Sequence, residues 1–263
     1  MEAAQSVLNN LNNRYQMMMK KMKNTTDCSQ NVNDYQESNY RCNKCRDMMF
    51  TIQGDGTAKA CECRSIRIAE DKLKASGVSE EFRKMRFENF DYSKSKETML
   101  AYSKAKSYSK KFEELRVARQ NSIIFCGQVG SGKTHLAMSI GNVLLDTGAG
   151  VIYMPYRSSI TNLKQSITDE ENYQREINIY KNAQVLMIDD LFKGRITESD
   201  VNIIYEILDY RYFKNLPVIV TTEKSIGDLL EIDEAIGSRL YEMSKNYLAE
   251  MVGDKLNYRI YGS

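Results

Sequence analysis

The run Gly127-Gln128-Val129-Gly130-Ser131-Gly132-Lys133-Thr134 has the G-x-x-x-x-G-K-T spacing of a phosphate loop. Its glycines let the backbone turn N–H groups onto phosphate oxygens. Lys133 offers a cation to the β- and γ-phosphates, and the Thr134 hydroxyl offers a ligand to Mg²⁺. With His135, these residues form the expected nucleotide-binding segment. A second constellation is Val185-Leu186-Met187-Ile188-Asp189-Asp190, an apolar stretch ending in two carboxylates. Asp189 would hold Mg²⁺ through water, and Asp190 would orient or deprotonate an attacking water. Pro217-Val218-Ile219-Val220-Thr221-Thr222-Glu223 is built the same way, so Thr222 or Glu223 could touch the γ-phosphate or that water.

A third group has a different chemistry. Cys42, Cys45, Cys61 and Cys63 follow a C-x₂-C then C-x-C pattern, which suits a zinc ion. The only histidine, His135, lies at the phosphate loop, so the ligand set is all-thiolate unless a carboxylate joins, with Cys28 a spare that could replace one of the four. A segment this polar has little core, and metal binding would supply folding energy. Four protein ligands leave no open coordination position, which makes the role structural.

These residues need elements to position them. Ser122–Cys126 reads as a buried strand entering the phosphate loop, and His135–Ile140 as the helix leaving it, whose N-terminal dipole favours an anion. Strands are expected at 122–126, 151–154, 184–189 and 217–222, alternating with helices. That order predicts an α/β fold with a parallel sheet flanked on both faces. Residues 40–63 should form two short arms around a Gly54-Asp55-Gly56 turn. Residues 64–118 read as mostly helical, broken near Gly77 and around Phe87–Tyr92. Residues 1–26 have helical spacing, with Val7, Leu8, Leu11, Tyr15 and Met17–Met19 on one side. Such a helix packs on its own domain or docks on a partner.

Composition bounds the rest. The 263 residues are 42% apolar and 27% charged, a globular balance. No apolar run approaches the ~18 residues of a membrane span. The polar N-terminus does not resemble a secretory signal. A cytoplasmic location without membrane attachment is therefore expected, where six cysteines serve as metal ligands or buried thiols rather than disulfides. Charge is uneven: residues 64–119 carry 15 Lys/Arg against 9 Asp/Glu, whereas residues 120–263 carry 14 against 19. A basic segment before an acidic half suggests a polyanion contact. The aromatics interleaved in the basic segment (Phe82, Phe87, Phe90, Tyr92, Tyr102, Tyr108 and Phe112) are read as packing residues.

Gly132-Lys133-Thr134-His135-Leu136-Ala137, the Asp189-Asp190 pair, Thr221-Thr222 and Gly237-Ser238-Arg239 together resemble the AAA+ ATPases of the DnaC/DnaI helicase-loader family. That group includes phage homologues and is related to the initiator DnaA. The Phe87-Glu88-Asn89-Phe90 box and the cysteine-bearing N-terminal region are similar to it too. The resemblance implies an AAA+ core at 119–263 without a large helical lid. A helical linker at 76–118 and an N-terminal helical, zinc-binding, helicase-gripping domain at 1–75 would precede it. It makes Arg239 the arginine finger, acting across a subunit interface, and Arg259 a weaker nucleotide contact. It implies ATP, Mg²⁺ and Zn²⁺ as cofactors. The implied partners are a replicative hexameric helicase, single-stranded DNA and further copies of the chain. Tyr156, Arg157, Lys164 and Lys193-Gly194-Arg195 are the candidate DNA contacts. Glu223, where the family more often has Asn, and the tight second cysteine pair depart from the pattern. Competing functions are the ATPase partner of a transposase, a non-hydrolysing nucleotide-binding scaffold and a small-molecule phosphotransferase. The last would need an arginine-rich acceptor lid, which residues 190–263 lack.

Overall fold

The computed structural model describes residues 40, 42–54, 56–61, 63, 64, 67, 79–254 and 256–261. The helix expected at 1–26, Cys28 and the break near Gly77 lie outside the described residues. The chain packs as two compact units, residues 1–48 and 49–263.

In the second unit, strands β1 (Phe50–Ile52) and β2 (Ala58–Ala60) form the expected two arms, an antiparallel pair with Thr51 opposite Lys59. Helix α1 (Glu80–Arg83) and a 3₁₀ turn over Phe87–Asn89 precede the long helix α2 (Lys96–Leu115). The remainder alternates strand and helix: β3 (Ile123–Gly127), α3 (Lys133–Asp146), β4 (Val151–Pro155), α4 (Tyr156–Ser166), α5 (Glu170–Asn182) and β5 (Val185–Leu191). Helix α6 (Glu198–Phe213), β6 (Val218–Thr222), α7 (Ile226–Ile232), α8 (Glu234–Ser244), β7 (Leu248–Met251) and α9 (Tyr258–Tyr261) complete it.

Strands β4-β5-β6-β3-β7 form one sheet in that order, all parallel. Strands buried on both faces read as continuous apolar runs, as in Ile123-Ile124-Phe125-Cys126 and Val218-Ile219-Val220. The pleat sends alternate residues to opposite faces. Ile123, Phe125, Val185, Met187 and Ile219 pack with α2 and α3. Ile124, Cys126, Leu186, Ile188, Val218 and Val220 pack with α4 through α8. Strand β3 enters the sheet between β6 and β7, neither of which is its sequence neighbour. Such a switch in strand order opens a crevice at the carboxyl ends of the strands, where ligands of open α/β sheets bind.

Sequence signals account for the helices around that crevice. Helix α2 buries Thr98, Ala101, Ala105, Tyr108 and Phe112, one helical stripe, and Ser95 caps its N-terminus through Thr98 N. The aromatics of the basic segment pack as expected: Tyr102 stacks on Tyr92 at 4.5 Å between centroids and meets Phe87 edge-on at 5.6 Å. Helix α6 opens with a reciprocal capping box between Thr197 and Asp200. Helix α3 differs. Its N-cap is Gly132 at φ 93°, with no side-chain cap, so its first N–H groups remain for an anion.

Candidate nucleotide and metal sites

Three glycines of the phosphate loop take positive φ, Gly127 at 137°, Gly130 at 73° and Gly132 at 93°. Each is also crowded from outside. A Cβ would lie 2.2 Å from the Met251 carbonyl oxygen at Gly127, 2.0 Å from Asn257 Oδ1 at Gly130 and 2.6 Å from the Phe90 ring at Gly132. Conformation and space therefore both select glycine. The Phe87–Phe90 box thus serves the loop directly. Phe90 covers it and lies 5.2 Å from the His135 ring, whose Nε2 meets the Arg86 carbonyl at 2.9 Å. On the other side Tyr258 N–H donates to Gly130 O at 2.9 Å, and the Tyr258 hydroxyl donates to the Asp91 carbonyl.

The loop borders a cleft of about 360 Å³ whose lining includes Lys133, Thr134, His135, Asp189, Asp190, Lys193, Glu223 and Arg259. Lys133 is buried, and its Nζ donates to Gly127 O and Gln128 O, each at 2.8 Å. Burial pushes the Lys133 pKa down, while the nearby carboxylates of Asp190 and Glu223 pull it back up. Ser131 Oγ is fully enclosed with no hydrogen-bond partner among the described residues. An orphaned hydroxyl, an uncapped helix end and a buried ammonium converge here, an arrangement that suits an oligophosphate.

Asp189 is the hub of the acidic side. Its Oδ1 accepts from Thr134 Oγ1 at 2.8 Å and Thr221 Oγ1 at 2.6 Å, and its Oδ2 accepts from Tyr153 OH at 3.2 Å. The Thr134 hydroxyl and the Asp189 carboxylate thus stand side by side, where Thr134 would ligand Mg²⁺ and Asp189 would hold it through water. The two residues fit Mg²⁺. Asp190 stands at φ 57°, its N–H donating to Thr221 Oγ1 at 2.8 Å. Lys193 Nζ donates to Asp190 Oδ2 at 2.8 Å and pairs with Glu223 Oε1 at 3.0 Å. The Asp190 contact is the main reason that the Lys193 pKa lies above its usual value.

Other expected residues fall elsewhere. Thr222 does not reach the cleft: fully buried, its hydroxyl donates to Leu191 O at 2.8 Å. Its neighbour Thr221 bridges the two acids, and the pleat decides which of the pair faces them. Arg239 lies on α8, paired with Asp209 Oδ1 at 2.7 Å, its guanidinium 5.2 Å from the Tyr205 ring and 5.3 Å from the Tyr212 ring. Tyr156 cannot stack on a base as expected. It is buried edge-on against Phe192 at 5.7 Å between centroids. Arg157, Lys164, Lys193 and Arg195 do share one hollow of about 170 Å³. Lys164 there is ion-paired with Asp200 and donates to Thr197 Oγ1 at 2.8 Å.

In the cysteine region, Cys42 N–H donates to Asp47 Oδ1 at 3.0 Å and Met48 N–H to Cys45 O at 3.0 Å. Arg46, Asp47 and Met49 take positive φ, which turns the backbone sharply after Cys45. The sulfurs of Cys42, Cys45, Cys61 and Cys63 lie within 4.8 Å of one another. A tetrahedron of ~2.3 Å Zn–S bonds has edges of about 3.8 Å, so a small contraction would close the four around zinc. No helix among the described residues is long and apolar enough to cross a membrane.

Comparison with known proteins agrees with this geometry. The family of IstB-like ATP binding proteins matches residues 58–238. Among relatives, YqaM of Bacillus subtilis is 37% identical, over 78% of this chain and 68% of its own. The phage-like element PBSX protein XkdC of the same organism is 35% identical, over 86% and 88%. The replicative helicase loader DnaC of Buchnera aphidicola (subsp. Baizongia pistaciae) is 28% identical, over 70% and 68%. A shorter match, 30% identical over 43% of this chain, is to an IS21 insertion-sequence ATP-binding protein of Pseudomonas aeruginosa. The crystal structure of DnaI shares the fold at a TM-score of 0.55 and 20% identity, covering 68% of this chain and 94% of that one. The parallel sheet, the phosphate loop at its switch point and these matches make one statement: the chain belongs to the IstB/DnaC family of AAA+ ATP-binding proteins.

Proposed function

We propose that this protein is an ATP-dependent loader that binds a replicative hexameric helicase and delivers it onto single-stranded DNA. The carrying observation is the hydroxyl-lined Asp189 beside Lys133 and Asp190, which supplies the parts of a hydrolytic site rather than of a passive nucleotide holder. ATP with Mg²⁺ supplies the reactive γ-phosphate and the charge that polarises it. The protein residues then divide the work. The loop N–H groups and Lys133 bind the phosphates, leaving the Gly127 and Gln128 carbonyls. Thr134 and Asp189 hold the metal, and Asp190 accepts the proton of the attacking water. Thr221 fixes both acids. Arg239 acts from a neighbouring copy of the chain, and Arg157, Lys164 and Arg195 meet the DNA backbone.

The loader reading is preferred because similarity to DnaC extends over 70% of this chain, against 43% for the IS21 protein. In this reading a cytoplasmic protein uses residues 1–75, with a structural zinc, for the helicase, residues 76–118 as a linker and residues 119–263 as motor. Family kinship with insertion-sequence proteins favours a second reading, the ATPase partner of a transposase. Co-purification tests the choice: retention of a hexameric helicase supports the first, and of a transposase the second. Lys133→Ala should weaken ATP binding about 10- to 100-fold by calorimetry, the worth of a charged hydrogen-bond donor. Asp190→Asn should bind ATP and not turn it over. Parental turnover in Lys133→Ala would refute the assignment.

A further inference from the structure

Lys193 lies in the wall shared by two hollows. One is the nucleotide cleft, with Lys133, Asp189, Asp190 and Glu223; the other is the basic hollow, with Arg157, Lys164 and Arg195. The Lys193 ammonium is committed to the first, held by Asp190 Oδ2 at 2.8 Å and Glu223 Oε1 at 3.0 Å. The backbone carrying it is strained. Asp190, Phe192 and Gly194 alternate in the left-handed region at φ 57°, 56° and 87°, unusual for an acid and rarer for a bulky aromatic. Strain of this kind gathers at sites that switch. In the second hollow neither Arg157 nor Arg195 makes an ion pair among the described residues. The Arg157 guanidinium lies over Gly194, its Cζ 3.8 Å from where a Cβ would stand. The hollow therefore holds two uncommitted guanidinium groups beside a lysine that faces the other way.

We infer that Lys193 is a latch between the two hollows. When the basic hollow is empty, it holds Asp190 in an ion pair and keeps that carboxylate from the attacking water. A polynucleotide phosphate gripped by Arg157 and Arg195 competes for the ammonium, and Asp190 is released. Part-exposed ion pairs are weak enough for such an exchange, and the long lysine stem permits it without unfolding the strand. Linkage then requires the two hollows to be coupled in both directions. The latch rests on the proposal that this face meets DNA, but its brake on Asp190 operates without DNA.

The test compares the parental protein with Lys193→Met and Lys193→Arg. ATP turnover is measured with and without oligo(dT), and binding of fluorescent oligo(dT) is measured by anisotropy across a salt series. Turnover of Lys193→Met without DNA should rise about threefold or more, the factor expected for losing part-exposed ion pairs. It should no longer respond to oligo(dT), and the salt slope of binding should shrink by about 0.7, one phosphate contact on a single strand. Lys193→Arg should restore both the response and the slope. DNA-free turnover of Lys193→Met at or below the parental rate overturns the latch. So does an undiminished response to oligo(dT), or an unchanged salt slope. Failure of the parental protein to bind oligo(dT) removes the DNA reading alone, and the DNA-free rate of Lys193→Met still decides whether Lys193 restrains Asp190.

Discussion

The Thr221 hydroxyl joins the Asp189 carboxylate to the Asp190 backbone: it donates to Asp189 Oδ1 at 2.6 Å and accepts the Asp190 N–H at 2.8 Å. One side chain thereby fixes the orientation of the Asp189 carboxylate and the left-handed backbone of Asp190. Thr222, one residue on, serves the fold by donating to Leu191 O.

The two threonines should accordingly fail in different ways. Thr221→Val keeps the shape and leaves the Asp190 N–H without its acceptor, so turnover should fall about tenfold or more. Thr222→Val leaves the Leu191 carbonyl short of a donor and should cost about 1–3 kcal/mol of stability. It should retain most turnover at low temperature. Steady-state kinetics beside urea unfolding separates the two; equal losses of turnover would deny Thr221 its special place.

Much of this was legible from local pattern, and the remainder depends on what the fold brings together. The four apolar runs became β3, β4, β5 and β6 within a residue or two, because strands buried on both faces leave an unmistakable signature. Strand β7 leaves no such signature: Leu248-Ala249-Glu250-Met251 is short, carries a carboxylate and follows a helix, so only its register beside β3 defines it. The motifs single out Lys133, Thr134, Asp189 and Asp190, each at a fixed offset from a strand end, and all four line one cleft. Thr221 rather than Thr222 meets both acids because β5 carries an extra residue between Ile188 and Leu191, which sets Asp189 and Asp190 against it. Tyr153 and Lys193 carry no motif and come to the acids from another strand and a turn. Tyr156 looked like a surface aromatic after a strand, yet the first turn of α4 points it inward against Phe192.

Metal removal should distinguish the cysteines. The protein should carry about one zinc per chain, held by Cys42, Cys45, Cys61 and Cys63, whose sulfurs already converge. Chelation should make these four thiols titratable and loosen the N-terminal region while ATP binding persists, because the core has its own apolar strands. Cys126 should behave differently. Burial pushes its thiol up to about 12, and only the thiolate attacks an alkylating reagent. It should stay unlabelled by iodoacetamide at pH 8 in folded protein, with or without zinc, becoming reactive as pH nears 12 or on unfolding. Elemental analysis and peptide mapping check both statements; four labelled thiols in metal-containing protein would refute the zinc site.

Arg239 is held within its own chain by Asp209 and a ring of Tyr205, Tyr212 and Phe213. An arginine finger serving a neighbour would have to exchange that carboxylate for the γ-phosphate, which makes assembly the trigger for its release. Arg239→Ala should therefore bind ATP normally as an isolated subunit and hydrolyse it poorly, because a trans finger is worth about 10³-fold or more in rate. Parental turnover per subunit should rise with protein concentration. Mixing gives the sharpest reading. Arg239→Ala keeps its phosphate loop and Lys133→Ala keeps its finger, so adjacent copies should recover one working site at their shared interface. Asp209→Asn supplies the counterpart: losing the intramolecular partner should lower thermal stability modestly while leaving the finger available. If Arg239 serves only the packing of α8 on α6, both variants lose stability alike. Turnover then stays independent of concentration, and mixing restores nothing.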